Sequence, residues 1–180
     1  MIALYDRFTR ALAASSDTIL PTLARFVFAA TLLIYFWNSA GTKWEGTPFS
    51  PSLGGYAQIF PKAMEAAGYH VSQFGLFHWA VVVAGTLAEY ILPLLLVIGL
   101  FTRFAALGMI GFVAVQSLTD LYGHGGIAHV ETLGKWFDVA SNSAILDQRA
   151  FWMVVLITLV IKGAGPLSLD RLLVNKRSEM

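Results

Sequence analysis

Two ionisable residues lie inside long apolar segments, where a charge is costly and usually has a function. Glu89 interrupts the apolar run 76–100, and Arg25 interrupts the run 19–40. At a rise of about 1.5 Å per residue, Glu89 lies about 15 Å from the nearer end of its helix. We therefore expect its carboxylate to be protonated or paired, with Arg25 as the partner. The pair is either a proton donor and acceptor for a redox ligand or a structural salt bridge between two helices.

Polar side chains recur toward the other ends of the apolar segments. Lys43 follows the first segment and His78 lies near the start of the second. Gln116 and Asp120 lie one helical turn apart near the end of the third segment. We expect His78, Gln116 and Asp120, together with Asn38 near the end of the first segment, to form a polar cluster that opens outward. Lys43 is expected to bind a ligand beside them. Hydrogen bonds between helices, worth about 0.6 kcal/mol each, are the alternative.

Trp44 and Trp136 lie in loops, outside the segments long enough to span a membrane. An indole ring buries a large flat surface while its N–H keeps a polar partner. We interpret both residues as candidates to line a pocket for a flat amphipathic ligand such as a quinone headgroup. A belt of aromatic residues at the membrane surface is the alternative.

A glycine-rich loop carries His124, His129 and Glu131. Imidazole suits copper, iron or zinc, and a carboxylate completes such a ligand set. The spacing matches no motif with a fixed mechanism, and solvated loop histidines are the alternative. The three residues are therefore a candidate metal site.

The composition excludes several classes of protein. Among 180 residues, 57% are hydrophobic and only 13% are charged, and the net charge is +1. Soluble domains have about 25% charged residues, and nucleic-acid binders carry a strong positive charge. The chain contains no cysteine, which excludes disulfides, iron–sulfur clusters and attachment of haem c. An integral membrane protein remains.

Four segments are apolar and long enough to cross a bilayer, which needs about 17–25 residues. They are residues 19–40, 76–100, 103–121 and 149–163, where the last two are short and end in residues that reach the headgroups. The predicted fold is an all-α, integral membrane four-helix bundle, and residues 1–180 form one domain. Short interfacial helices are expected in the outer loops, at 61–66 and 131–139, and at the termini, including one after Ser168.

The distribution of Lys and Arg sets the predicted orientation. Eight lie on the side of the termini and four on the other side, so both termini are expected in the cytoplasm. The eight are Arg7, Arg10, Arg25, Arg103, Lys162, Arg171, Lys176 and Arg177, and the four are Lys43, Lys62, Lys135 and Arg149.

The chain resembles the DoxX family of small membrane proteins. Arg25 opens the first span, Lys43 lies just past its end, and Glu89 precedes a Leu-rich run that closes in Gly-Leu-Phe-Thr-Arg at 99–103. A glycine-rich Ser-Leu-Asp ending at 163–170 follows the last span. The resemblance implies a four-helix bundle in the bacterial cytoplasmic membrane with both termini inside. It also implies a link to thiosulfate:quinone oxidoreductase and to other oxidoreductase systems of oxidative, sulfur or metal stress.

Three functions are compatible with these observations. In the first, the protein is a quinone-interacting subunit of a membrane oxidoreductase, in which Glu89 exchanges protons under the influence of Arg25. The electrons then pass directly between bound ligands or through the metal or flavin of a partner subunit, because the sequence shows no electron carrier of its own. In the second, the protein is a non-catalytic scaffold or anchor that recruits a partner protein. In the third, it is a permease for small solutes or metals, which requires a homo-oligomer because four helices enclose little space.

Overall fold

A computed structural model describes residues 1–47 and 49–178, and these residues are folded mainly into helices. Four helices are long and apolar enough to cross a membrane, which confirms the predicted helical membrane bundle. They are α1 (Ile2–Gly41), α4 (Leu76–Ile98), α5 (Thr102–Gly123) and α7 (Ala144–Lys162), and the shorter helices are α2 (Leu53–Ile59), α3 (Pro61–Ala66), α6 (Val130–Leu133) and α8 (Leu169–Ser178).

The first helix is longer than the sequence predicted. A separate interfacial helix was expected at the amino terminus, but α1 runs unbroken for 40 residues, with a π-helical turn at Ala29–Leu33. The alanine-rich stretch 11–14 favours a helix and no glycine interrupts it. Pro21 is accommodated inside the helix and packs against Gly165. At about 60 Å, α1 exceeds the roughly 30 Å of a hydrocarbon core, so its amino-terminal part extends beyond the bundle.

The four long helices pack around one apolar core. Helix α1 contacts α4 and α7, and α5 packs between α4 and α7 on the opposite side. Large side chains from all four helices are completely buried there, namely Phe28, Phe36, Leu96, Met109 and Leu156. Because lipid is as apolar as these side chains, the helices are held together by van der Waals packing in this core.

The end of the bundle that carries both termini is closed by polar contacts to the backbone. The Asp170 carboxylate accepts hydrogen bonds from the Phe101 and Thr102 amides at 2.7 and 3.0 Å, at the start of α5. The Ser168 hydroxyl accepts from the Arg171 amide at 3.2 Å, which confirms the predicted cap of α8. Gly99 has a φ of +70°, and a Cβ there would lie 2.6 Å from Ser168 Cβ.

The first outer loop folds over the opposite end. Pro61 starts α3 and Gly68 follows its end with a φ of +57°, as the sequence predicted for 61–66. Tyr56 and Met64 form a small second core with Val82 of α4. Burial raises the pKa of the Tyr56 phenol above its usual value. These contacts fix α2 and α3 as a cover on the bundle.

The second outer loop contains less helix than predicted. The expected helix at 131–139 is wrong, because α6 ends at Leu133. Gly134 follows with a φ of +80° and lies against Ser143, where no Cβ fits. A residue with that φ does not continue an α-helix. The segment after Gly134 therefore crosses the surface without a helix until α7 begins.

Candidate ligand-binding site

A buried ion pair connects the outer end of α1 to the middle of α4. The Lys43 ammonium lies 2.8 Å from Glu89 Oε2 and 3.0 Å from Oε1. Both residues are nearly inaccessible, at 5% and 3% exposure. Lys43 also donates to the Ser39 carbonyl at 3.0 Å and to the Ser39 hydroxyl at 2.7 Å. Buried charges persist only when paired and hydrogen-bonded, and this pair meets both conditions.

The local backbone explains why Lys43 points into the bundle. Helix α1 ends at Gly41, and the chain then turns back over the bundle. The Ser52 amide donates to the Lys43 carbonyl at 2.9 Å. Gly55 lies so close that a Cβ would be 2.5 Å from the same carbonyl oxygen. The start of α2 therefore holds the Lys43 backbone in place, and its long side chain extends inward to Glu89.

This geometry corrects the predicted pairing of Glu89 with Arg25. The Arg25 guanidinium donates instead to backbone carbonyls, those of Leu96 and Ala164 both at 3.0 Å and those of Val97 and Leu167. The last carbonyls of a helix have no hydrogen-bond partner within the helix. An arginine has five N–H donors and can therefore bind several of these carbonyls at once. Arg25 therefore joins the end of α4 to the segment after α7 and does not contact Glu89.

A cavity of about 510 Å³ lies beside the ion pair, between α4 and α5 and under α2. Small residues on the two long helices create the space, and a Cβ added at Gly111 would meet nothing within 4 Å. Most of its surface is apolar. The small lining residues are Ala84, Gly85, Ala88, Gly108 and Gly111, the larger apolar ones are Ile59, Val81, Leu92, Phe112 and Val115, and the polar ones are Ser39, Lys43, Gln58, Glu89, Gln116, Thr119, Asp120 and His124.

Gln116 presents an unused acceptor at this cavity. Its side-chain amide nitrogen donates to the Tyr35 hydroxyl at 3.1 Å. Its carbonyl oxygen is buried and has no hydrogen-bond partner among residues 1–47 and 49–178. A buried acceptor without a partner costs about 1–3 kcal/mol. A ligand with an O–H or N–H group removes that cost by donating to Gln116.

Asp120 and His124 are held by neighbouring side chains and backbone. Arg149 of α7 forms a salt bridge to Asp120 and donates to the Ser117 hydroxyl at 2.8 Å. His124 Nε2 lies 3.1 Å from the Gln58 carbonyl oxygen of α2. Sequence reasoning assigned Arg149 only to the charge distribution and missed its pairing, since nothing local indicates that α5 and α7 are neighbours.

Three of the predicted ligand residues lie outside the cavity lining. His78 packs between the rings of Phe60 and Phe74, with centroid distances of 4.9 and 4.6 Å. Trp44 stacks on Tyr90, with ring centroids 4.9 Å apart and planes 5° from parallel. The Trp136 indole donates to the Leu146 carbonyl at 2.8 Å.

The structure does not bring the predicted metal ligands together. His124 faces the cavity, whereas His129 Nδ1 and Glu131 Oε1 lie 3.6 Å apart on the exposed surface. Within the described part of the chain, no group of three or more His, Asp or Glu residues is arranged to hold a metal ion. The glycine-rich loop therefore presents these residues separately.

The fold and the site define a class: a multi-pass helical membrane protein with a buried ion pair on the wall of an apolar cavity. Residues 20–119, more than half of the chain, match the DoxX family model, and the protein belongs to the DoxX family. The match includes Arg25, Lys43 and Glu89, and the resemblance noted in the sequence is confirmed. In comparisons with curated proteins and with solved structures, nothing matches the chain significantly.

Proposed function

We propose that the cavity binds a membrane quinone or quinol and that the protein is the quinone-interacting subunit of a membrane oxidoreductase system. The observation that supports this most directly is the buried Lys43–Glu89 pair on the wall of an otherwise apolar cavity. In the same proposal the protein lies in a bacterial cytoplasmic membrane with both termini in the cytoplasm, as the distribution of Lys and Arg predicts.

The size and lining of the cavity suit such a ligand. Small-molecule sites usually measure about 300–1,000 Å³ and combine apolar walls with a few polar groups. A quinone headgroup is flat, with two oxygens that accept hydrogen bonds, and its reduced form has two hydroxyls that donate them. The free Gln116 carbonyl suits a hydroxyl of the quinol, and the Lys43–Glu89 pair provides charged groups on the same cavity wall.

Reduction of a quinone consumes two electrons and two protons, and oxidation of the quinol releases them. The Lys43–Glu89 pair and Asp120 are the proton-exchanging groups at the polar end of the cavity. The electrons are exchanged with a partner subunit, where a metal or a flavin supplies the redox chemistry. The role of this chain is to bind and orient the quinone and to exchange its protons.

A cavity-filling substitution tests the proposal. Gly111→Leu places a side chain where a Cβ meets nothing within 4 Å, so the protein is expected to fold and to lose quinone binding. Ala114→Leu is the matched control, since Ala114 is exposed on the same helix and does not line the cavity. The readouts are the quinone retained after mild purification, measured by mass spectrometry, and titration with a short-chain quinone. Equal quinone binding by both variants, or none by the unaltered protein, contradicts the proposal.

A docking role for the second outer loop has its own supporting observation. Phe137 and Val139 are completely exposed, at 104% and 107%, on a loop without a helix. Exposed apolar groups of this kind are typical of protein contact sites. We propose as a second function that this loop recruits a partner protein. Replacing both residues by serine should abolish co-purification of that partner without changing quinone retention, and unchanged co-purification contradicts this function.

A further inference from the structure

A second cavity lies at the end of the bundle that carries both termini. It measures about 860 Å³ and is enclosed by the start of α5, the end of α7 and α8. Its lining includes three basic residues, Arg103, Lys162 and Arg171. Among the described residues, Asp170 is the only acidic residue in the lining. This cavity is separate from the quinone cavity, since the two share no lining residue.

Two of the basic groups have no partner among the side chains that the structure describes. The guanidinium groups of Arg103 and Arg171 make no hydrogen bond or ion pair with residues 1–47 and 49–175. Asp170 does not neutralise them directly, because its carboxylate accepts from the first two amides at the start of α5. Lys162 is already paired, with its ammonium 2.6 Å from Asp17. The cavity therefore carries excess positive charge.

The local structure positions these groups for an anion. A Cβ at Gly163 would lie 3.4 Å from Arg103 Nε, so the guanidinium extends across the glycine that ends α7. Thr102 also lines the cavity and is 1% exposed, and its hydroxyl has no hydrogen-bond partner within the described residues. A guanidinium pair and a free hydroxyl donor are the groups that bind the oxygens of a phosphate.

The remaining lining is apolar and continuous with the surface that faces lipid. Phe104 and Val174 line the cavity and are strongly exposed, and Leu107, one turn further along α5, is also exposed. A free phosphate gains nothing from these side chains. A phospholipid satisfies both parts of the site, since its phosphate reaches the basic groups while an acyl chain lies along the helix.

We propose that this cavity binds an anionic phospholipid, with the phosphate held by Arg103, Arg171 and Thr102 and one acyl chain along Phe104. Basic pockets at the ends of membrane helices attract anionic headgroups, and each Lys or Arg near the surface adds to that attraction. Bound lipid joins α5 to α8 and anchors α8 at the membrane surface. The inference does not depend on the quinone cavity.

The test measures binding of single lipids to delipidated full-length protein by native mass spectrometry. The unaltered protein should bind phosphatidylglycerol more tightly than phosphatidylcholine. Replacing Arg103→Gln together with Arg171→Gln should weaken phosphatidylglycerol binding about thirtyfold and remove this preference. The matched control is Arg7→Gln with Arg10→Gln, which removes the same charge from exposed positions at the same end and should change binding less than about twofold.

Four results overturn the proposal. If the Arg7 and Arg10 control loses as much phosphatidylglycerol binding as the Arg103 and Arg171 variant, the lipid is attracted by the charge of the whole surface. If phosphatidylglycerol and phosphatidylcholine bind equally, the cavity is an apolar groove that does not recognise the headgroup. Displacement of the lipid by excess inorganic phosphate shows an ion site. If the Arg103 and Arg171 variant does not fold, Val174→Glu replaces it, because Val174 is exposed and lines the same cavity. Phosphatidylglycerol binding unaffected by that acidic side chain also overturns the proposal.

Discussion

The two charges inside the apolar segments are stabilised in different ways at opposite ends of the bundle. Glu89 is neutralised by one cation, Lys43, which the outer loop holds in place. Arg25 is stabilised by neutral groups, the carbonyls at the end of α4 and after α7. The first arrangement leaves an ion pair on the wall of a cavity, whereas the second uses every contact to join segments of backbone. The surroundings of a charge within a membrane span therefore distinguish a candidate for ligand binding from a link between backbone segments.

The largest expected effect comes from removing the cation at the cavity end. Lys43→Met leaves the Glu89 carboxylate buried without its partner and should lower the free energy of unfolding by about 3–5 kcal/mol. The double variant Lys43→Met with Glu89→Leu removes both charges and should recover most of that loss. Denaturant unfolding followed by circular dichroism measures both. A Lys43→Met protein as stable as the unaltered one would show that the pair contributes little.

A smaller effect is expected at the opposite end. Arg25→Lys keeps the charge but has three N–H donors for four carbonyls, and the loss of one charged hydrogen bond should cost about 1.5–3 kcal/mol. Quinone retention should stay unchanged, because Arg25 does not line the cavity. The same purification and mass spectrometry measure the retained quinone. A loss of quinone comparable to that in Gly111→Leu would contradict the division between a functional and a structural end.

The smallest effect is expected at Gln116, the residue with the free carbonyl at the cavity. Gln116→Met removes the unused acceptor and should weaken quinol binding about tenfold, or about 1.4 kcal/mol. Tyr35→Phe is the control, since it removes the same Gln116–Tyr35 hydrogen bond and leaves the acceptor in place. Titration of both variants with a short-chain quinol distinguishes the two contacts. If both variants bind the quinol equally weakly, the effect comes from how Tyr35 positions Gln116 and not from the free Gln116 carbonyl.

The spans could be predicted because hydropathy is a local property. The second run, 76–100, became Leu76–Ile98, and the fourth, 149–163, became Ala144–Lys162. The fourth starts earlier than predicted because Ala144–Arg149 forms a π-helical turn that includes Asp147 and Arg149. Polar residues in a helix are acceptable where they find partners, as Arg149 does with Asp120, and hydropathy alone does not show this.

The site was predicted in its residue types and not in its pairings. Glu89 and Lys43 both have a chemical signal in the sequence, but 46 positions separate them and the fold of the outer loop decides that they meet. Arg25 was the nearer candidate on helical depth alone. The small residues that create the cavity, such as Gly85 and Gly111, were missed because glycine and alanine are common in membrane helices and carry no chemistry of their own.

The length of α1 has a mechanical consequence. Its backbone is helical from Ile2 to Gly41, and the cation of the buried pair follows two residues later. The buried ammonium on the cavity wall and the amino terminus are therefore connected through one continuous helix, which contains a π-helical turn at Ala29–Leu33. Because α1 packs against α4 and α7, a tilt of this helix at the Lys43 end would displace its amino terminus and change both of those contacts.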